Sequence, residues 1–108
     1  MLWLTNGNTV TIYVNGGQRY ISGTVIPADV WTHLTAVWDG SAWSLYINGV
    51  LDGAPASYST APTSSGVPLE FGRYYLGGSG NGRNFTGGID DVRIYNRALS
   101  ADEIKQLY

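Results

Sequence analysis

The chain has 108 residues, enough for one domain hiding roughly two thirds of its unfolded surface, and its 44% hydrophobic content excludes a disordered segment. Only 13% of residues are charged and the net charge is −2, with six Lys and Arg scattered along the chain, which excludes the electrostatic footprint of a nucleic-acid-binding protein. No apolar run is long enough to cross a bilayer, no cysteine offers disulfide or thiol chemistry, and the apolar start at residues 1–4 meets Asn6-Gly7 at once, unlike the centre of a secretory leader.

Fifteen Gly, four Trp and eight Tyr among many Thr, Ser and Asn describe an all-β domain with tight turns. Residues 2–5 predict a first strand that reverses at Asn6-Gly7. Residues 9–14 alternate, with Val10, Ile12 and Val14 on one face and Thr9, Thr11 and Tyr13 on the other. Asn15-Gly16-Gly17 tolerates positive φ and predicts a hairpin, returning along residues 19–26 to Pro27, which lacks the N–H of a ladder position. Residues 31–51 predict an antiparallel meander. Leu34, Ala36 and Trp38 form its apolar face, Asp39-Gly40 reverses it, Trp43, Leu45 and Ile47 return inward, and Asn48-Gly49 turns into Val50-Leu51. Both Asx-Gly links read as two-residue turns.

Residues 54–68 shift to Ala, Pro, Ser and Thr without periodicity and read as a surface loop. Strand-like residues resume at 69–72, a second loop rich in Gly and Asn follows at 76–86, and the stretch 73–84 reads as a long hairpin connection. Alternation at 89–95 predicts a closing strand with Asp90, Val92 and Ile94 on one face, and Asp91 and Arg93 paired on the other. A helix start follows. Ser100 and Glu103 stand at capping-box spacing, Leu99 and Ile104 flank it as a hydrophobic staple, and Ile104, Leu107 and Tyr108 form one apolar face. A helix of about two turns needs packing to persist.

The ordered pieces Trp31-Thr32-His33-Leu34-Thr35-Ala36-Val37-Trp38-Asp39-Gly40, Leu45-Tyr46-Ile47-Asn48-Gly49-Val50-Leu51, Leu69-Glu70-Phe71-Gly72, and Gly88-Ile89-Asp90-Asp91-Val92-Arg93-Ile94-Tyr95-Asn96-Arg97-Ala98-Leu99-Ser100-Ala101-Asp102-Glu103-Ile104 resemble the laminin G-like jelly roll of the concanavalin A-like lectin/glucanase superfamily. The resemblance implies a single all-β domain over residues 1–108: an antiparallel β-sandwich, shortened, with a short C-terminal helix. Domains of that family carry further strands ahead of the Trp-x-His strand, so the front of the sandwich is expected to be missing from this chain. Uncovered strand edges of that kind predict a symmetric homodimer.

The resemblance implies a non-catalytic recognition module, carbohydrate binding first, with a structural or assembly domain as the alternative, and an extracellular or cell-surface setting. Glycosidases of the superfamily use closely spaced carboxylates, and no such pair stands here. His33 has no nucleophile motif beside it, and the Gly-rich stretch lacks the Lys-Ser or Lys-Thr of a phosphate loop. Candidate ligand residues are Tyr13, His33, Thr35 and Tyr46, joined by Ser44 and Asn48 on outward-facing strand positions, because sugars stack on rings beside fixed polar groups. Arg73 and Tyr74 open a second candidate in the loop beyond them; a solvated Thr/Tyr face is the plainer reading of the first. No cofactor is expected. Related domains hold calcium with an Asp at the position of Asp90, but the rest of that ligand set comes from the part ahead of residue 1. A carboxylate accepting backbone N–H bonds is therefore the preferred reading of Asp90. Asn84-Phe85-Thr86 fits a glycosylation acceptor pattern.

Overall fold

The structure is a computed structural model and describes residues 1–63, 66, 69–74 and 83–108, with Tyr74 and Arg83 described in the backbone alone. The chain divides into two compact units, Met1–Thr63 with Tyr95–Tyr108, and Ser64–Ile94.

The first unit opens with β1 (Leu2–Leu4), β2 (Thr9–Val14) and β3 (Gly17–Val25), an antiparallel sheet in the order β1-β2-β3. Asn15 at φ 48 and Gly16 at φ 70 make the turn that puts Val14 opposite Gly17, since a primed turn follows the strand twist. Between the pairs Thr9/Val25 and Thr11/Ile21, Ser22, Gly23 and Thr24 stand opposite Val10 alone. The buried Ser22 hydroxyl fills this bulge: its oxygen accepts the Val10 N–H at 2.8 Å and it donates to the Thr24 carbonyl at 2.7 Å.

The second sheet contains β4 (Leu34–Trp38), β5 (Ala42–Ile47) and β6 (Val50–Leu51), and β7 (Ala56–Ser57) pairs with the start of β5. Asn48 at φ 50 and Gly49 at φ 75 form a two-residue turn joining Ile47 to Val50. The Asp39-Gly40 reversal is longer than its sequence suggests, because Trp38 pairs with Trp43. Asp39 Oδ1 accepts the backbone N–H groups of Ser41 and Ala42 and the Ser41 hydroxyl, each at 2.8 Å, which holds a wider loop and keeps the carboxyl below its usual range. β7 lies inside the stretch expected to be an aperiodic loop; a strand this short leaves no period to read.

The sheets pack face to face. Val10, Ile12 and Val14 from the first, with Ile26 just beyond its last strand, meet Leu45 from the second, with Leu4, Tyr20, Leu34, Trp43, Ile47 and Tyr58 around them. Leu45 is 0% exposed, and burying a side chain of this size contributes about 1.5–3 kcal/mol. Ala36 shares the inward side of β4 yet stays exposed.

Helix α1 (Ala101–Leu107) closes the unit. Its capping box is complete: Glu103 N–H reaches Ser100 Oγ at 3.3 Å, and Ser100 N–H reaches Glu103 Oε2 at 2.8 Å. Arg97 adds a bidentate pair to the same carboxylate at 2.6 and 3.0 Å. Leu99 and Ile104 are buried and Leu107 half-buried, whereas Tyr108 is exposed. The helix passes over the Asn48-Gly49 turn so closely that a Cβ on Gly49 would lie 3.5 Å from both Lys105 Cα and Tyr108 Cβ.

In the second unit β8 (Arg73–Tyr74) and β9 (Arg83–Asn84) pair antiparallel, and Phe85 N–H donates to the Gly72 carbonyl at 2.7 Å. The two short strands lie at the ends of the stretch 73–84 expected to be a hairpin connection, and residues 75–82 lie outside the described residues. The expected closing strand at 89–95 does not form. Asp91 takes a left-handed φ of 52, which breaks an extended run, and no described strand lies beside it to accept its ladder bonds. Asp90 is consequently exposed, as are Val92 and Ile94, which its alternation put on the same face. The predicted ion pair on this segment is present, Arg93 reaching both Asp91 oxygens at 3.0 and 3.1 Å.

Candidate functional site

The outward side of the second sheet holds most of the expected ligand residues. Thr35 stands directly opposite Tyr46, and Val37 opposite Ser44, while Leu34 and Leu45 turn to the core. All four outward side chains are half-buried. His33 and Asn48 flank the row and fix one another: His33 N–H donates to Asn48 Oδ1 at 2.8 Å, and Asn48 N–H donates to the His33 carbonyl at 2.9 Å. The His33 ring lies 6.3 Å from the Tyr108 ring at a 34° tilt, and its Nδ1 is buried with no partner among the described residues. His33 thus has the Tyr108 ring beside it, and Thr35 and Tyr46, half-buried like the rest, form the centre of the row.

Tyr13 does not join them. It lies on the first sheet between the buried Ile12 and Val14, and the two sheets meet through those inward positions, so its side chain belongs to the opposite outer face. Its hydroxyl donates to the Gly16 carbonyl at 2.9 Å, bracing the hairpin turn. Arg73 and Tyr74 sit on β8 in the second unit. Arg73 is exposed, 3.9 Å from Glu70, a separation that contributes little to stability; the Tyr74 side chain lies outside the description.

Asp90 makes a local contact. Its Oδ1 accepts the neighbouring Asp91 N–H at 2.7 Å, and Asp91 is engaged by Arg93. No group of three or more His, Cys, Asp or Glu gathers to hold a metal among the described residues, where calcium needs about six to eight oxygens.

Two polar clusters escaped the sequence reading. The first is Asp52, 8% exposed, at the end of β6. Its Oδ2 accepts Gly23 N–H at 2.9 Å and the Tyr20 hydroxyl at 3.2 Å, and its Oδ1 accepts the Thr24 hydroxyl at 2.5 Å, so the bulge of β3 is aimed at one carboxylate. Burial first, then the charge and hydrogen bond of Asp52, push the Tyr20 phenol above its ordinary range. The second is Asn15. Its Oδ1 accepts the N–H and hydroxyl of Thr63, each at 2.9 Å, and its Nδ2 reaches the Ala61 carbonyl at 3.0 Å and the Tyr58 hydroxyl at 3.2 Å. Arg19 stacks on Tyr58 at 4.1 Å from the ring centre, and an open groove lined by Ser41, Ser57, Tyr58, Ser59 and Thr60 runs alongside. Partners 28 to 48 residues away leave no local signal for either cluster.

The Laminin_G_3 family model, described as concanavalin A-like lectin/glucanases superfamily, matches residues 1–105. Among curated proteins the chain is similar to the "Sushi, von Willebrand factor type A, EGF and pentraxin domain-containing protein 1" of Rattus norvegicus (27% identical over 121 residues) and of Mus musculus (29% over 121 residues). Each alignment takes in 96% of this chain and 3% of the relative, so the chain spans a small part of those proteins. Among solved structures it is similar to an S-layer domain-containing protein (residues 221–444) from Clostridium thermocellum ATCC 27405, with TM-score 0.66 and 31% identity, covering 92% of this chain and 50% of that one.

Proposed function

Because this chain belongs to the concanavalin A-like lectin/glucanases superfamily, we propose that it is a non-catalytic recognition module for carbohydrate, working outside the cell or at its surface. The observation that carries this reading is the Tyr46–Thr35 pair: a half-buried ring and a hydroxyl held in register on a rigid sheet, with Ser44 and Asn48 close by. A sugar presents C–H groups to a ring face and hydroxyls to its neighbours, and a β-ladder fixes both without loop ordering. The extracellular setting draws on the pentraxin-domain and S-layer-domain names of the similar proteins. The carboxylates support a binding role over catalysis, since four of the eight already serve the fold: Asp39 a turn, Asp52 a bulge, Asp91 an ion pair and Glu103 a helix cap.

Glycan-array screening followed by isothermal titration tests the reading. Tyr46→Ala should abolish binding of whichever saccharide is found and Thr35→Val should weaken it about tenfold, one hydrogen bond's worth. Absence of saccharide binding, or binding indifferent to Tyr46→Ala, overturns it. A second reading, an assembly domain, is favoured by the exposed Leu69, Phe71, Phe85, Ile89, Val92 and Ile94 of the second unit.

A further inference from the structure

Within the first unit Arg97 spends its guanidinium on Glu103, whereas Arg19 has no carboxylate among the described residues. The Arg19 Nε is buried without an acceptor, and Nη2 reaches only the Asn15 carbonyl, at 3.5 Å. That is long against the usual reach of about 2.7–3.2 Å. The half-buried guanidinium is nonetheless held in place. It lies over the Tyr58 ring, 4.1 Å from its centre, and fills the space of a Cβ on Gly17, which would fall 2.8 Å from Nη1 and 2.9 Å from Cζ and Nη2. Tyr58 itself is tied down. Its N–H donates to the Ser41 carbonyl at 2.7 Å, its carbonyl accepts from Trp38 Nε1 at 2.9 Å, and its hydroxyl accepts from Asn15 Nδ2 at 3.2 Å. A charged fork seated this way has already given up freedom that binding would otherwise cost.

We propose that Arg19 anchors a second ligand site, taking the carboxylate of a small hydroxylated acid, with the groove of Ser41, Ser57, Ser59 and Thr60 beside Tyr58 holding the rest of the molecule. The site shares no residue with the Tyr46–Thr35 face and stands whether or not that face binds sugar. A guanidinium meets both oxygens of a carboxylate in one plane, and a single one balances one negative charge, which favours a monocarboxylate over a phosphate dianion. The groove, of 330 Å³, falls at the small end of ligand pockets, about 300–1,000 Å³, and suits one small molecule. Apart from Tyr58 its walls are serine and threonine, so the body they match carries hydroxyls of its own. An acidic peptide would ask instead for apolar anchors. The carboxylate nearest to the groove in sequence, Asp39, is committed to Ser41 and Ala42 and forms no pair with Arg19.

Chemical-shift titration of the isotope-labelled chain with sodium glucuronate, sodium chloride holding the ionic strength constant, tests the assignment. The amides of residues 57–60 should move to saturation with glucuronate. Glucose, which has the hydroxyls without the carboxylate, and acetate, which has the carboxylate without the hydroxyls, should each bind about tenfold more weakly or worse. Arg19→Gln should weaken glucuronate binding at least about tenfold, one charge-assisted hydrogen bond's worth, and Arg19→Lys should not recover it, because an ammonium lacks the planar fork. Gly17→Ala keeps the charge but pushes the guanidinium from its seat, and should weaken binding several-fold. Failure of glucuronate to bind overturns the proposal. So does binding indifferent to Arg19→Gln, or glucose or acetate matching glucuronate. If Arg19→Gln alters the circular dichroism spectrum, Gly17→Ala decides: weakened binding supports the site, and unchanged affinity overturns it.

Discussion

Tyr20 and Asp52 meet at 3.2 Å, phenol to carboxylate, where the first sheet comes against the second. Asp52 also holds Gly23 and Thr24, so one side chain closes a gap that a regular ladder would have filled. Asp52→Ala leaves three donors without an acceptor and should cost about 2–4 kcal/mol in urea unfolding at unchanged m-value. Asp52→Asn keeps an acceptor oxygen and should cost less. The same variant should lower the midpoint of the Tyr20 phenol in an ultraviolet titration, because it removes the negative charge that disfavours phenolate. The sign for stability follows: a raised phenol midpoint contributes fully below tyrosine's ordinary 10.0, and that contribution is lost as pH rises through the folded value.

Gly53 sits at φ +72 beneath the same phenol, and a Cβ there would lie 2.8 Å from the Tyr20 oxygen. Gly53→Ala should destabilise by about 1–3 kcal/mol through backbone strain and the clash together. In a Tyr20→Phe background the clash partner is gone and the backbone strain remains. A double-mutant cycle should therefore show positive coupling, with the second Gly53→Ala step smaller than the first.

The helix cap predicts acid sensitivity. The Arg97 guanidinium, helped by the Ser100 N–H, lowers the Glu103 carboxyl from 4.5 to about 2. Its stabilising contribution is present above pH 4.5 and is lost as pH falls from there toward 2. Thermal melts between pH 6 and pH 2.5 should show this decline in the wild type and a shallower one in Glu103→Gln. Ser100→Ala should cost about 1 kcal/mol at neutral pH.

Asn15 separates turn geometry from tethering. Asn15→Gly keeps the positive φ but removes the contacts to Tyr58, Ala61 and Thr63. Hydrogen exchange should then rise sharply at the Thr63 amide while the amides of β2 and β3 stay protected. Asn15→Ala should lose both the tether and the turn, and be the less stable of the two.

Features of the fold set by neighbouring residues were legible in the sequence. Asn48-Gly49 demands positive φ, Ser100 and Glu103 satisfy one another three residues apart, and Val10, Ile12 and Val14 need only alternation to share a face. Features set at a distance were not. Nothing near Asp52 marks it as a buried carboxylate, because Tyr20, Gly23 and Thr24 precede it by about thirty residues and turn toward it only through a bulge. The alternation at 89–95 is real, yet a strand is a relation between two segments, and one of them is missing from the described fold. At the candidate site the Thr35–Tyr46 pairing followed from the meander, whereas Tyr13 was grouped with it because alternation gives a face and not a sheet. His33 read as outward, and the Tyr108 ring near it came from the far end of the chain.

The closeness of Gly49 to Lys105 sets an order of events during synthesis. The hairpin around Asn48-Gly49 can close within microseconds of emerging, yet the residues that cover it are made roughly 3–11 seconds later at ~5–20 residues per second. Until then the turn waits in solvent with a bare glycine at its crest, open to any protease or chaperone beside the ribosome. A side chain at position 49 would fit beside the helix at ordinary contact distance but would be strained at a φ of +75, so it would hinder the hairpin before the helix arrives. Damage from such a change would therefore surface early, as a hairpin that closes poorly well before its cover is made.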